Sequence, residues 1–263
     1  MAGPLRVARE GDVLWITLSR PNVRNAFDAA LIGELAEAFV DVGRVRAVVL
    51  AGDGPSFSAG ADVGWMRASV DLDYEANVRD ANALRLMLEA IDRCPAPVVC
   101  RVQGHALGGG CGLVAAADIV VADEDAIFAF SEVKLGIVPA VISPFALAKI
   151  GASAARRYFL TGERFDAETA LRIGLVHEVT PDLDKAVERV VAELLTAGPL
   201  AVRAAKRLVL ERPDGPETAR RIADQRTSPE GQEGLRAFLA TRSEGHRVLP
   251  SWHPDSGGTK GGS

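Results

Sequence analysis

Four short, largely apolar runs constrain this chain most. Val13-Leu14-Trp15-Ile16-Thr17-Leu18, Ala47-Val48-Val49-Leu50, Val98-Val99-Cys100-Arg101-Val102 and Ile119-Val120-Val121 are rich in β-branched residues and read as buried strands. The stretches between them carry helical spacing. Leu31, Leu35, Ala38 and Phe39 share one face over 29–40, and Leu84, Met87, Leu88 and Ile91 form a stripe over 74–91 that Pro95 and Pro97 close off. Strands alternating with helices predict an α/β core with parallel pairing. From Asp166 onward the pattern turns nearly all helical, over 167–172, 183–196, 200–210 and 217–240. The composition therefore divides the chain into an α/β core (1–200), a helical C-terminal region (201–252) and a tail (253–263) poor in apolar residues and expected to be disordered.

Charge and composition remove several function classes. A chain of 263 residues with 48% hydrophobic and 25% charged residues is an ordinary globular protein. Its net charge of −5 argues against nucleic acid or an anionic membrane as the main partner. No apolar run reaches the roughly 18 residues of a membrane span. The first residues lack a signal-peptide stretch, so a cytoplasmic location is expected. Cys94, Cys100 and Cys111 have no metal-ligand spacing and read as small core residues, and the four histidines are scattered, so no metal site is expected.

Two segments carry glycine where a strand gives way to a helix: Phe57-Ser58-Ala59-Gly60-Ala61-Asp62 and Gly104-His105-Ala106-Leu107-Gly108-Gly109-Gly110-Cys111-Gly112. Glycine lets main chain approach a ligand closely, and a helix N-terminus presents unpaired N–H donors. Two such donors aimed at one point would make an oxyanion hole. The same glycines could equally serve close helix–sheet packing alone. Neither segment has the Gly-Lys-Ser/Thr ending of a phosphate loop.

Taken together, Arg20-Pro21, Asn25-Ala26-Phe27, the two glycine segments, Asp118-Ile119 and Ser131-Glu132-Val133-Lys134-Leu135-Gly136 closely resemble the crotonase (enoyl-CoA hydratase/isomerase) family. The resemblance runs from residue 5 to about residue 250, through Ala154-Ala155-Arg156-Arg157, Leu160-Thr161-Gly162, Gly174-Leu175-Val176 and the Lys206 region. It implies a crotonase-like spiral of ββα repeats, with C-terminal helices that build trimers, commonly paired into hexamers. The implied ligand is an acyl-CoA thioester, with CoA entering as part of the substrate and no metal or redox cofactor. By position, the N–H groups of Ala61 and Gly109 would grip the thioester oxygen. Arg24 and Ala59 would meet the CoA nucleotide. Ala26, Gly108, Gly112 and Pro139 would border the substrate, Asp62 would be structural or near the pocket wall, and Arg242 would reach the CoA phosphates.

Proton transfer beside a thioester needs a carboxylate whose pKa a partly apolar site raises. Glu132 follows Phe128-Ala129-Phe130-Ser131. Its residue type and place alone suit a surface glutamate between strand and turn, whereas the resemblance aligns it with a catalytic glutamate. Many hydratases of the family carry a second glutamate where this chain has Gly112. Three activities are then compatible: a hydratase/dehydratase of 2-enoyl-CoA thioesters using Glu132 alone, an enoyl-CoA isomerase using one glutamate, and a catalytically reduced CoA-ester-binding protein. Lys134 to Pro144 looks like the bacterial methylglutaconyl-CoA hydratases, with Ser143 a candidate to hold water in place of the missing acid. Trp65 and Met66 are expected to line the acyl pocket or the core, and His105 to pack. His177 should end a strand. Arg156, Arg157 and Arg164 read as solvated charges, and Arg203, Lys206 and Arg207 as a solvated helix face.

Overall fold

The computed structural model describes residues 3–257. Nine strands and ten α-helices follow one another in it. The strands are β1 (Leu5–Glu10), β2 (Val13–Leu18), β3 (Ala47–Gly52), β4 (Val98–Val102), β5 (His105–Leu107), β6 (Ile119–Asp123), β7 (Ile127–Ala129), β8 (Phe165–Asp166) and β9 (Glu178–Thr180). The helices are α1 (Ala29–Val40), α2 (Val63–Ser69), α3 (Tyr74–Asp92), α4 (Gly109–Ala116), α5 (Ser143–Thr161), α6 (Ala167–Arg172), α7 (Leu183–Thr196), α8 (Pro199–Glu211), α9 (Gly215–Thr227) and α10 (Pro229–Glu244).

The strands form a six-stranded sheet, in the order β1-β2-β3-β4-β6-β9, and a three-stranded sheet, β5-β7-β8. Successive turns of the chain give one strand to each sheet: β4 then β5, and β6 then β7. Apart from the β1–β2 hairpin, the large sheet is parallel, as the alternation predicts.

Both faces of the large sheet are covered, which is why its strands read as nearly unbroken apolar runs. Ile16, Leu18, Val48, Leu50, Val98, Cys100 and Val120 face one way, in one cluster with Leu31, Leu35 and Phe39 of α1 and Met87, Leu88 and Ile91 of α3. Their alternates Val13, Val49, Val99 and Val121 face the other way and meet Leu183, Ala186 and Val187 of α7. Cys94, Cys100 and Cys111 are all buried and unpaired.

Several sequence expectations need correction. The strand expected around His177 is present but begins just after it: β9 completes the large sheet beside β6. The helix expected over 217–240 is two helices. Ser228 ends α9 in extended conformation, its side chain accepts from Gly231 N, and Pro229 opens α10. The boundary expected after residue 200 falls inside α8. Of the expected tail, residues Pro254–Gly257 form a 3-10 turn and His253 is buried, while 258–263 lie outside the described residues.

Lys206 is not on a solvated face either. Its side chain is 7% exposed, and Nζ donates to the Asp118 carboxylate at 2.6 Å. Arg203 likewise reaches inward to the Val45 carbonyl, at 2.9 Å. Arg46 clasps the C-terminal region to the core by donating to the carbonyls of Trp252, Leu195 and Ala197, each at 2.7 Å. Removing one member of a buried ion pair strands the other charge. Lys206→Met is therefore expected to cost about 3 kcal/mol in urea unfolding. A loss below about 0.5 kcal/mol would mean that the pair behaves as an exposed one.

Candidate active site

The segment between β2 and α1 holds the first glycine loop in place. Asn25 is fully buried and sits at φ +54°, a conformation its short polar side chain tolerates. Its side-chain oxygen accepts from Arg20 N at 2.8 Å, and its amide nitrogen donates to the carbonyls of Asp53 and Ser56, both at 2.9 Å. Ser58 Oγ donates back to the Asn25 carbonyl at 2.9 Å. The Arg20 guanidinium spans Asp28 (3.0 Å), Asp62 (3.2 Å) and the Ala26 carbonyl (2.6 Å). Asp62 also caps α2, accepting from Gly64 N at 2.8 Å. The Asp62 carboxylate is thus used up in structure.

Two main-chain donors come together across the two glycine loops. Phe27 bridges the first loop, its N–H donating to Gly60 O at 2.7 Å and its carbonyl accepting from Asp62 N at 2.8 Å. In such a parallel bridge the N–H of the intervening Ala61 points away from Phe27. Gly109 opens α4, where the first N–H groups have no intrahelical partner. Neither N–H donates to another described residue. The loops meet main chain to main chain. A Cβ on Gly60 (φ +85°) would lie 2.5 Å from Leu107 O and 3.5 Å from Gly109 N, and one on Gly109 would lie 2.6 Å from the Phe27 ring. Only glycine fits at either place.

Glu132 opens a 3-10 turn after β7 and faces the same space. Oε1 lies 3.5 Å from where a Cβ of Gly108 would be, and Oε2 is buried with no hydrogen-bond partner. Burial pushes the Glu132 carboxyl above the ordinary range, against a weaker lowering by a backbone hydrogen bond. The reading of Glu132 as a surface glutamate is thereby set aside. Ala61, Gly109 and Glu132 border one cavity of about 470 Å³, with Phe27, Ala59, Gly108 and Pro139 in the same wall. Trp65 and Met66 of α2 line it too, as expected.

Other expected residues fall elsewhere. Gly112 is buried inside α4 and does not border the cavity. A Cβ there would lie 2.5 Å from Ile142 Cγ2 and 3.5 Å from Leu88 Cδ1, so the space a second glutamate would use is filled. Ile142 itself does line the cavity, and no local pattern in the chain signals its pairing with Gly112. Ser143 sits outside the wall with its hydroxyl donated to Ala140 O at 2.8 Å, which removes the expected water-holding group. Ala26 is buried beneath the loop, Arg24 is exposed on it with its carbonyl accepting from Ala59 N, and Arg242 lies over the Phe238 ring on α10. None of the three borders the cavity. His105 packs near Ser56, and burial, then Arg164 and Arg24, hold its pKa below the usual histidine value.

Residues 8–245 match the family described as enoyl-CoA hydratase/isomerase. The 2,3-dehydroadipyl-CoA hydratase of Escherichia coli is 33% identical over 91% of this chain and 96% of its own length. Among solved structures, an enoyl-CoA hydratase from Shewanella pealeana is 40% identical, with a TM-score of 0.87 over 95% of this chain and 96% of its own. AtuE of Pseudomonas aeruginosa is 36% identical, with a TM-score of 0.89 over 95% and 99%.

The raised carboxyl has a thermodynamic signature. A folded-state pKa above the unfolded one makes the folded protein hold the proton longer as pH rises. The stability it contributes is complete at acid pH and is lost as pH rises through the folded value. Glu132→Gln has no such loss. The melting-temperature difference between variant and parent should therefore widen in the variant's favour as pH rises above about 4, the ordinary carboxyl value. A difference that stays flat with pH would contradict the buried-carboxyl assignment.

Proposed function

Because this chain belongs to the enoyl-CoA hydratase/isomerase family, we propose that it hydrates 2-enoyl-CoA thioesters, and dehydrates the products, through a main-chain oxyanion hole and the single carboxylate of Glu132. The observation that carries this reading is the buried, unpartnered Oε2 of Glu132 in the same cavity as the free N–H groups of Ala61 and Gly109. In the forward direction Glu132 takes a proton from water while the water oxygen bonds to C3. The C2–C3 π electrons shift toward the thioester, whose oxygen takes up negative charge between the two N–H donors. The protonated Glu132 then returns the proton to C2. The scheme calls on no metal or redox group, and CoA enters as part of the substrate.

A second reading has its own support. Gly112 offers no second acid, and Ile142 keeps that space apolar. One carboxylate that takes a proton from one carbon and returns it to another suffices for double-bond migration. For the acyl group, a neutral, branched 2-enoyl chain suits the Trp65, Met66, Leu84 and Ile142 lining. A methylglutaconyl-type group is the other candidate. Against it, no lysine or arginine appears among the described cavity-lining residues. Arg24 and Arg242 are proposed to meet the CoA nucleotide and phosphates outside the cavity.

Exposed Leu200, Ile222, Leu235, Phe238 and Leu239 on α8–α10 support a homotrimer, or a hexamer built from two. Light scattering should then give a mass of at least three times 27.8 kDa, and Phe238→Asp should lower it. A monomeric parent would refute the trimer.

The activity is tested by loss of conjugated thioester absorbance from crotonyl-CoA and 3-methylglutaconyl-CoA. Glu132→Gln should lower kcat by about 10²–10⁴ with little change in KM. Solvent deuterium entering a 3-enoyl-CoA without any hydrated product would favour the isomerase instead.

A further inference from the structure

The wall that α2 and α3 contribute to the cavity carries three polar side chains, Ser69, Asn77 and Asp80, and every donor near them is spent. Ser69 Oγ donates to Met66 O at 2.7 Å. The Asn77 amide nitrogen donates to the carbonyls of Leu72 (3.0 Å) and Asp73 (3.1 Å), which fixes the orientation of its amide. Trp65 Nε1, the remaining donor of this wall, is given to Asp80 Oδ2 at 3.2 Å. Among the described residues, Asn77 Oδ1 and Asp80 Oδ1 accept from nothing.

This wall therefore offers acceptors and a negative charge, whereas the Ala61 and Gly109 end offers donors. We propose that the α2–α3 wall is a specificity site for an acyl chain bearing a hydrogen-bond donor, a hydroxyl, and that Asp80 rejects a chain ending in a carboxylate. The inference rests on the acyl-CoA reading above. A hydroxyl reaching Asp80 gains a charge-assisted hydrogen bond. A carboxylate there meets a like charge with no cation to offset it, and a plain alkyl end leaves the acceptors without a partner.

The test measures binding and needs no turnover. Calorimetry compares saturated acyl-CoAs of matched length ending in methyl, hydroxyl or carboxylate, with the parent protein and with Asp80→Asn. The hydroxyl form should bind the parent about tenfold more tightly than the methyl form, and the carboxylate form more weakly than both. Asp80→Asn, which adds a donor and removes the charge, should shift the carboxylate-to-methyl affinity ratio by at least about tenfold. Equal binding of the three by the parent, or an unchanged ratio in the variant, overturns the specificity site alone. No binding of any thioester by the parent overturns the acyl-CoA reading, and this proposal with it.

Discussion

Where the first glycine loop crosses the second, main chain lies against main chain with no room for a single methyl group. The site depends on that approach. The two donors belong to different loops, and they converge only because Gly60 and Gly109 have no side chain. In the proposed mechanism an oxyanion-hole donor of this kind is worth about 3 kcal/mol in the transition state, and that value vanishes if the N–H is displaced. The surroundings act to hold the crossing fixed. Asn25 ties the first loop to the ends of its neighbours, Arg20 pins Asp62, and Phe27 fills the space beside Gly109. The parallel sheet beneath, covered on both faces, provides the rigid base on which the loops rest.

Glu132 stands in tension with the same packing. A carboxylate oxygen buried without a partner works against folding once the group is ionised, yet in the proposed mechanism the same burial strengthens its hold on the proton it must take up and return. The protein places this unfavourable group on a short turn after β7, where the aromatic cluster of Phe128, Phe130, Tyr158 and Phe165 stabilises the neighbouring chain.

How much was legible in the sequence depended on how local each signal was. The strands β2, β3, β4 and β6 were readable because their residues are apolar on both faces, and α1 and α3 because their stripes repeat at the helical period. By contrast, β5, β7, β8 and β9 are each three residues or shorter, too brief for any period to emerge. The edge strand β1 places Arg6, Arg9 and Glu10 among its apolar residues without alternation and is mostly exposed. Lys206 at a helical spacing of charges looked solvated, since nothing in its own segment reveals Asp118, 88 residues earlier and just before β6, as its partner. The site divides in the same way. Its glycines and Glu132 stand in recognisable segments, but the Ile142–Gly112 and Trp65–Asp80 contacts join residues that only tertiary structure brings together.

The filling of the Gly112 site by Ile142 sets an order on how this protein's chemistry could change over generations. A glutamate arising at position 112 alone would meet the Ile142 methyl group, so that step is closed until Ile142 has been replaced by something smaller. A smaller residue at 142, arising first, would leave a void between α4 and the start of α5 and a less stable protein. The two positions are coupled by this contact, so the effect of a side chain at 112 depends on what stands at 142. A lineage that has reached this arrangement is kept by packing from placing an acid at position 112, independently of any selection on the reaction itself.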